Sequence, residues 1–113
     1  MKILFQITSV NNPQVKKWKK LNLKKERKKQ QSYLVEGFHL VEEALKYKKE
    51  EIIHVIVRED LLEEEDFLNL NLDKKQIIVI RLNVAEEISE TQTNQGIFAE
   101  LAIAEHTFPK KVE

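Results

Sequence analysis

The apolar positions of this chain change period along its length. Val15, Trp18 and Leu21 recur every third residue, the spacing of one helix face. Asn11-Asn12-Pro13 precedes them, with Asn12 suited to the N-cap and Pro13 to the first helical position, where a missing N–H costs nothing. Lys24 to Gln31 contains no apolar residue, so this helix either ends after Leu23 or projects into solvent. Tyr33-Leu34-Val35 reads as a short buried strand closed by Glu36-Gly37. Phe38, Val41 and Leu45, with Leu40 and Ala44 beside them, predict a helix over 38–47. Ile52 to Val57 is a strand rich in β-branched residues. Asp60 and Glu63 have capping-box spacing ahead of an acidic helix ending near Leu68. Ile77 to Ile80 is a third strand, Asn83 with Glu86 opens a short helix through Ile88, and Gly96 precedes a last strand over 97–103.

Helix followed by strand, four times over, predicts an α/β fold whose largely parallel sheet is covered on both faces. The unbroken run Ile77-Ile78-Val79-Ile80 agrees, because a strand buried on both faces loses its polar alternation. A length of 113 residues suits one domain with a real core. Ile3-Leu4-Phe5 is too short for a signal-peptide core, and the apolar runs around His54 are strand-sized, so no membrane segment is expected. With no cysteine, the cytoplasm is the expected compartment.

Composition removes several chemistries. Without cysteine there is no disulfide framework, thiolate zinc site or cysteine nucleophile. Two glycines cannot supply a Gly-rich phosphate loop. The net charge of zero conceals a partition. Residues 1–31 hold ten cations against the single anion Glu26, a net +9, while the other 82 residues hold nine cations and eighteen anions, a net −9. A basic segment joined to an acidic body points to a polyanionic partner.

Lys16, Lys17, Lys19, Lys20, Lys24, Lys25, Arg27, Lys28 and Lys29 can together neutralise several phosphates. Trp18 lies among them, but its spacing with Val15 and Leu21 makes it a core residue before a stacking platform. Glu36-Gly37 favours a tight turn over a phosphate site, since the carboxylate opposes an anion beside it. Thr91 to Gly96 is a polar loop whose hydroxyls and amides suit base edges or sugars, or merely connect two elements. His39, His54 and His106 have no metal-ligand spacing, so no metal site is expected. Glu63 to Asp66 reads as a solvated helix face, and Ser9, Ser32 and Ser89 lack any nucleophile motif. No active site assembles from these motifs.

Three blocks in register carry a resemblance: Ser9-Val10-Asn11-Asn12-Pro13-Gln14-Val15-Lys16 running on to Arg27, Tyr33 to Leu45, and Glu90 to Ala99. Together they resemble the N-terminal substrate-binding domain of SpoU-type (TrmH-like) RNA ribose methyltransferases. The resemblance implies a three-layer α/β/α sandwich with a mixed, mostly parallel four-stranded sheet, similar to ribosomal and kink-turn-binding proteins. It implies an RNA partner, ribosomal or transfer RNA, with residues 1–105 as the RNA-binding domain and 106–113 as the start of a linker. S-adenosylmethionine would bind an additional C-terminal catalytic domain, through which the full-length protein would dimerise. The chain itself would then hold no cofactor and carry no catalytic residue. Carried over by position, the RNA-facing residues are Asn12, Lys16, Lys17, Lys20, Arg27, Lys28, Glu36, Gly37, His39, Gln95 and Gly96. His39 stands where the family often has arginine, and Asn94 where it often has proline. A stand-alone kink-turn-binding protein, and an interaction domain whose lysines only confer solubility, remain the alternatives.

Overall fold

The computed structural model describes residues 6–103. Five strands form one sheet: β1 (Gln6–Ile7), β2 (Ser32–Glu36), β3 (Ile52–Arg58), β4 (Ile77–Ile80) and β5 (Ile97–Ala102). Their spatial order is β1-β4-β3-β5-β2. β4 pairs in parallel with both β1 and β3, whereas β5 runs antiparallel between β3 and β2. Four strands therefore point one way and β5 the other, which is the mixed sheet expected. The count is five rather than four, because the described residues Gln6 and Ile7 add a strand beside β4.

Five helices accompany the sheet: α1 (Pro13–Lys20), α2 (Lys24–Gln30), α3 (Phe38–Tyr47), α4 (Glu65–Leu68) and α5 (Leu82–Ile88). Side chains alternate across each strand, so Ile78 and Ile80 face one layer while Ile77 and Val79 face the other. The first layer packs Val15, Trp18 and Leu21 with Val84, Ala85 and Ile88, so α1 and α5 cover that face. The second packs Val41, Ala44 and Phe67, so α3 and α4 cover the opposite face. All four residues of β4 are buried, as an unbroken apolar run requires.

Helix starts follow the local chemistry only in part. Asn12 caps α1, its side-chain oxygen accepting from the Gln14 amide at 2.8 Å, with Pro13 at the first helical position. The expected Asp60–Glu63 capping box is absent. Residues Glu59–Leu61 form a 3-10 turn, α4 begins only at Glu65, and Asp60 is drawn instead to Arg58. Asn83 lies inside α5 rather than at its cap, because Arg81 takes that position. The lysine-rich stretch does not extend α1; it forms the separate helix α2, which buries no side chain.

One charged group lies inside the first layer. Glu100, on β5, is fully buried among apolar neighbours. Its Oε1 accepts from Trp18 Nε1 at 2.9 Å and from His54 Nδ1 at 3.1 Å. Oε2 takes no aligned hydrogen bond, but the Lys17 ammonium lies 3.1 Å away as a charge contact. Burial pushes this carboxyl up; His54, Trp18 and Lys17 together outweigh that and hold it at about 2.

A carboxyl held below its ordinary value stabilises the fold above about pH 4.5, and that stability drains away as pH falls toward about 2. We expect Glu100→Gln to lose on the order of 2–3 kcal/mol at neutral pH and to flatten this acid limb. Urea unfolding at neutral pH and at several acidic values measures both; an unchanged acid limb would assign it to another group.

Candidate nucleic-acid interface

Two clusters of the expected residues come from different elements. The first is built by α1 and α2. Burial of Val15 and Trp18 turns Lys16, Lys19 and Lys20 of α1 outward. Lys17 is half-buried, with its head on Glu100, and Lys19 pairs with Glu87 of α5 at 2.8 Å. Arg27 reaches back from α2 and donates to the Leu21 carbonyl at 2.9 Å, tying the two helices together. Lys16, Lys20, Lys24, Lys25, Lys28 and Lys29 are exposed, and among the described residues none has a carboxylate within ion-pair distance. A groove of about 390 Å³ runs between the helices, with Lys16 and Lys20 on one wall and Lys29 on the other.

The second cluster gathers where β2, β3 and β4 end and β5 begins. Glu36 accepts from Ser89 Oγ at 2.8 Å and from the Gln95 amide at 2.9 Å, so its carboxylate fastens the 91–96 loop to the end of β2. Gly37 has φ +107°, and a Cβ there would lie 2.7 Å from Gln95 Oε1. Gly96 has φ +79°, and a Cβ there would meet Leu61 at 2.8 Å and Arg58 at 3.0 Å. Arg58 donates to Asn94 Oδ1 at 2.7 Å and grips Asp60 with two nitrogens, which keeps the Asp60 carboxyl below its ordinary value. The Thr91 hydroxyl is spent internally, since its Oγ1 donates to the Thr93 carbonyl at 2.9 Å and lies 3.0 Å from Ser89 Oγ.

Helix α5 joins the clusters. Lys19 holds Glu87, Asn22 reaches the Ile88 carbonyl at 3.4 Å, and the next residue, Ser89, donates to Glu36. Lys16, Lys20 and Lys28 are thus free for a partner, whereas Asn12, Lys17, Arg27 and Glu36 are engaged in holding the fold. Gly37 and Gly96 act through their backbones, and the exposed Gln95 lies over Gly37. His39 is exposed on the first turn of α3, in a hollow shared with Glu42 and Asp66, surroundings that repel phosphate. His54 joins Glu100 rather than a metal; among the described residues no group of three potential ligands is present. His106 and the expected linker at 106–113 lie outside the described residues.

Sequence reading missed Arg58 and the role of Ser89, and it marked Asn94 only as part of the polar loop and as a departure from the family pattern. Arg58 was legible in principle, as a charged residue at the carboxyl end of a buried parallel strand. The partners of Ser89 and Asn94 could not be read locally, because they are 53 and 36 residues away.

Residues 12–99 match the family model of the MRM3-like substrate-binding domain. The chain belongs to that family. Over 95 residues the domain is 41% identical to the 23S rRNA (guanosine(2553)-2′-O)-methyltransferase RlmP of Bacillus subtilis (strain 168), an alignment covering 83% of this chain and 36% of that protein. The chain thus spans about a third of the length of this relative. Its fold matches a crystal structure of an RNA 2′-O ribose methyltransferase with a TM-score of 0.75 at 24% identity, covering 96% of this chain and 41% of that one. It also matches an AdoMet-bound rRNA methyltransferase from Sinorhizobium meliloti, with a TM-score of 0.65 at 22% identity over 86% of this chain and 36% of that one.

The two glycines of the MRM3-like domain offer no close-approach site for a nucleoside cofactor of that kind. Both glycines are filled from within, Gly37 by Gln95 and Gly96 by Leu61 and Arg58, so neither opens a cradle.

Because Glu36 is the clasp of the 91–96 loop, Glu36→Ala should speed hydrogen exchange at the Gln95 amide while costing only about 1 kcal/mol of global stability. Exchange measured by NMR checks this; a Gln95 amide protected as before would remove Glu36 from that role.

Proposed function

We propose that this MRM3-like domain is the RNA-presenting part of a SpoU-type, S-adenosylmethionine-dependent RNA 2′-O-ribose methyltransferase, and that its RNA is ribosomal. The observation that carries the reading is the family match over residues 12–99, joined to a surface where six unpaired lysines of α1 and α2 lie together. The RlmP relative, named for 23S rRNA, favours ribosomal over transfer RNA. The RlmP relative is a methyltransferase, which favours this reading over a stand-alone kink-turn-binding protein.

In this reading the domain grips phosphates through Lys16, Lys20, Lys24, Lys25, Lys28 and Lys29 and carries no catalytic group itself. Methyl transfer belongs to an additional domain that supplies the S-adenosylmethionine site and the dimer contact. The expected compartment is the cytoplasm, in keeping with a ribosomal substrate; among the described residues no helix is long and apolar enough to cross a membrane.

Each phosphate neutralised should contribute about −0.7 to −0.9 to the slope of log affinity against log salt. Replacing Lys16, Lys20, Lys28 and Lys29 together by Ala should weaken RNA binding and make the slope shallower by roughly 3, with the melting temperature little changed. Fluorescence anisotropy across a salt series reads this, and an unaltered slope would remove the two helices from the interface. Adding S-adenosylmethionine should leave the melting temperature of the 113-residue chain where it was, since a ligand of the native state alone must raise it.

A further inference from the structure

Beside the basic helices lies a groove that phosphate contacts alone do not use. It runs between α1, the loop before it and the end of α5, with a volume of about 520 Å³, inside the range of small-ligand sites, about 300–1,000 Å³. Val10 and Leu23 supply an apolar floor, backed by the fully buried Val15; Lys16 and Lys20 stand at the rim, and Glu87 on one side is neutralised by its ion pair with Lys19. Asn11 and Asn22 add side-chain amides.

Leu23 is the residue that calls for an explanation. It occupies the N-cap of α2, where its side chain offers the free amides nothing, and it is 53% exposed. A serine or aspartate there would cap the helix and stabilise it by about 1 kcal/mol. The chain instead keeps an apolar side chain in water at the mouth of a groove. A local rule broken without a packing gain marks a functional position.

We propose that this groove takes one unpaired nucleotide of RNA, its base face lying on Val10 and Leu23 and its flanking phosphates on Lys16 and Lys20. The apolar floor suits the face of a base, the free ammonium groups suit the backbone, and the two amides can reach base edges. A paired base is excluded, because its face is covered by stacking within the duplex. Asn22 also touches the Ile88 carbonyl, one residue from the Ser89–Glu36 contact, so the nucleotide sits where the basic helices meet the second cluster. This assignment rests on the reading of the domain as RNA-binding.

The test is Leu23→Ser in the 113-residue chain, a change that removes the apolar floor while improving the cap of α2. The probes are a short single-stranded RNA, the same strand with abasic positions, and its blunt duplex. The wild type should prefer the single strand over the abasic strand, and the variant should lose about fivefold in affinity for the single strand with no change in salt slope. On the abasic strand, wild type and variant should bind alike. Equal binding of the single strand by wild type and variant would overturn the groove assignment and leave the phosphate contacts standing. Failure of the wild type to bind any of the three at low salt would overturn the RNA-binding reading and this one together.

Discussion

The orientation of α1 depends on a carboxylate that has no water. Glu100 sits on the antiparallel strand β5, between β2 and β3, fully buried in a layer whose core cluster is otherwise apolar. An isolated ionised carboxylate there would be prohibitively costly, so partners must come to it. Two of them, Lys17 and Trp18, are consecutive on α1, and the third, His54, is across the sheet on β3 and edge-on to the Trp18 ring, with ring centroids 6.4 Å apart. Consecutive helical residues point about 100° apart, so satisfying Glu100 with both sets the rotation of α1 about its axis. That rotation sends Lys16, Lys19 and Lys20 outward. The charge presented to a partner is therefore set from inside the core.

The elements that sequence could reveal are those whose signal is local. The apolar stripe Val15, Trp18 and Leu21, the Asn12-Pro13 start and the unbroken run Ile77–Ile80 all depend on near neighbours, and all took the positions their spacing demands. The Asp60–Glu63 box failed because Asp60 had a stronger option: a bidentate contact with Arg58 outcompetes a cap on a four-residue helix. Strand β1 was hidden for a different reason. Gln6 and Ile7 are identified as a strand by their pairing with Val79 and Ile80 of β4, which lie more than 70 residues away.

The candidate site was legible as charge and as motif, but not as division of labour. Nine cations between Lys16 and Lys29 read alike in sequence. In space, Lys17 serves the core, Lys19 ties α1 to α5 and Arg27 ties α2 to α1, leaving six for a partner. The Glu36-Gly37 and Gln95-Gly96 blocks likewise prove to be one object. A carboxylate that looked hostile to anions is occupied by the Gln95 amide and the Ser89 hydroxyl, and so holds a loop in place.

Helix α2 shows why the basic surface is more than a solvated face. It has seven residues, buries none of them, and lacks a side-chain cap at its start. Lys24 with Lys28, and Lys25 with Lys29, are like charges one turn apart, each pair destabilising by roughly 0.2–0.5 kcal/mol. The contacts that hold it are few: Arg27 to Leu21, Gln30 to Glu26, and Gln31 back to the Lys28 carbonyl. A sequence selected for helix stability alone would alternate these charges. Phosphates laid along the helix would convert the repulsion into attraction, and by linkage whatever they gain in binding is also gained by the helix in stability. On the proposed RNA-binding reading, the like charges that make α2 marginal on its own are what suit it to a polyanion.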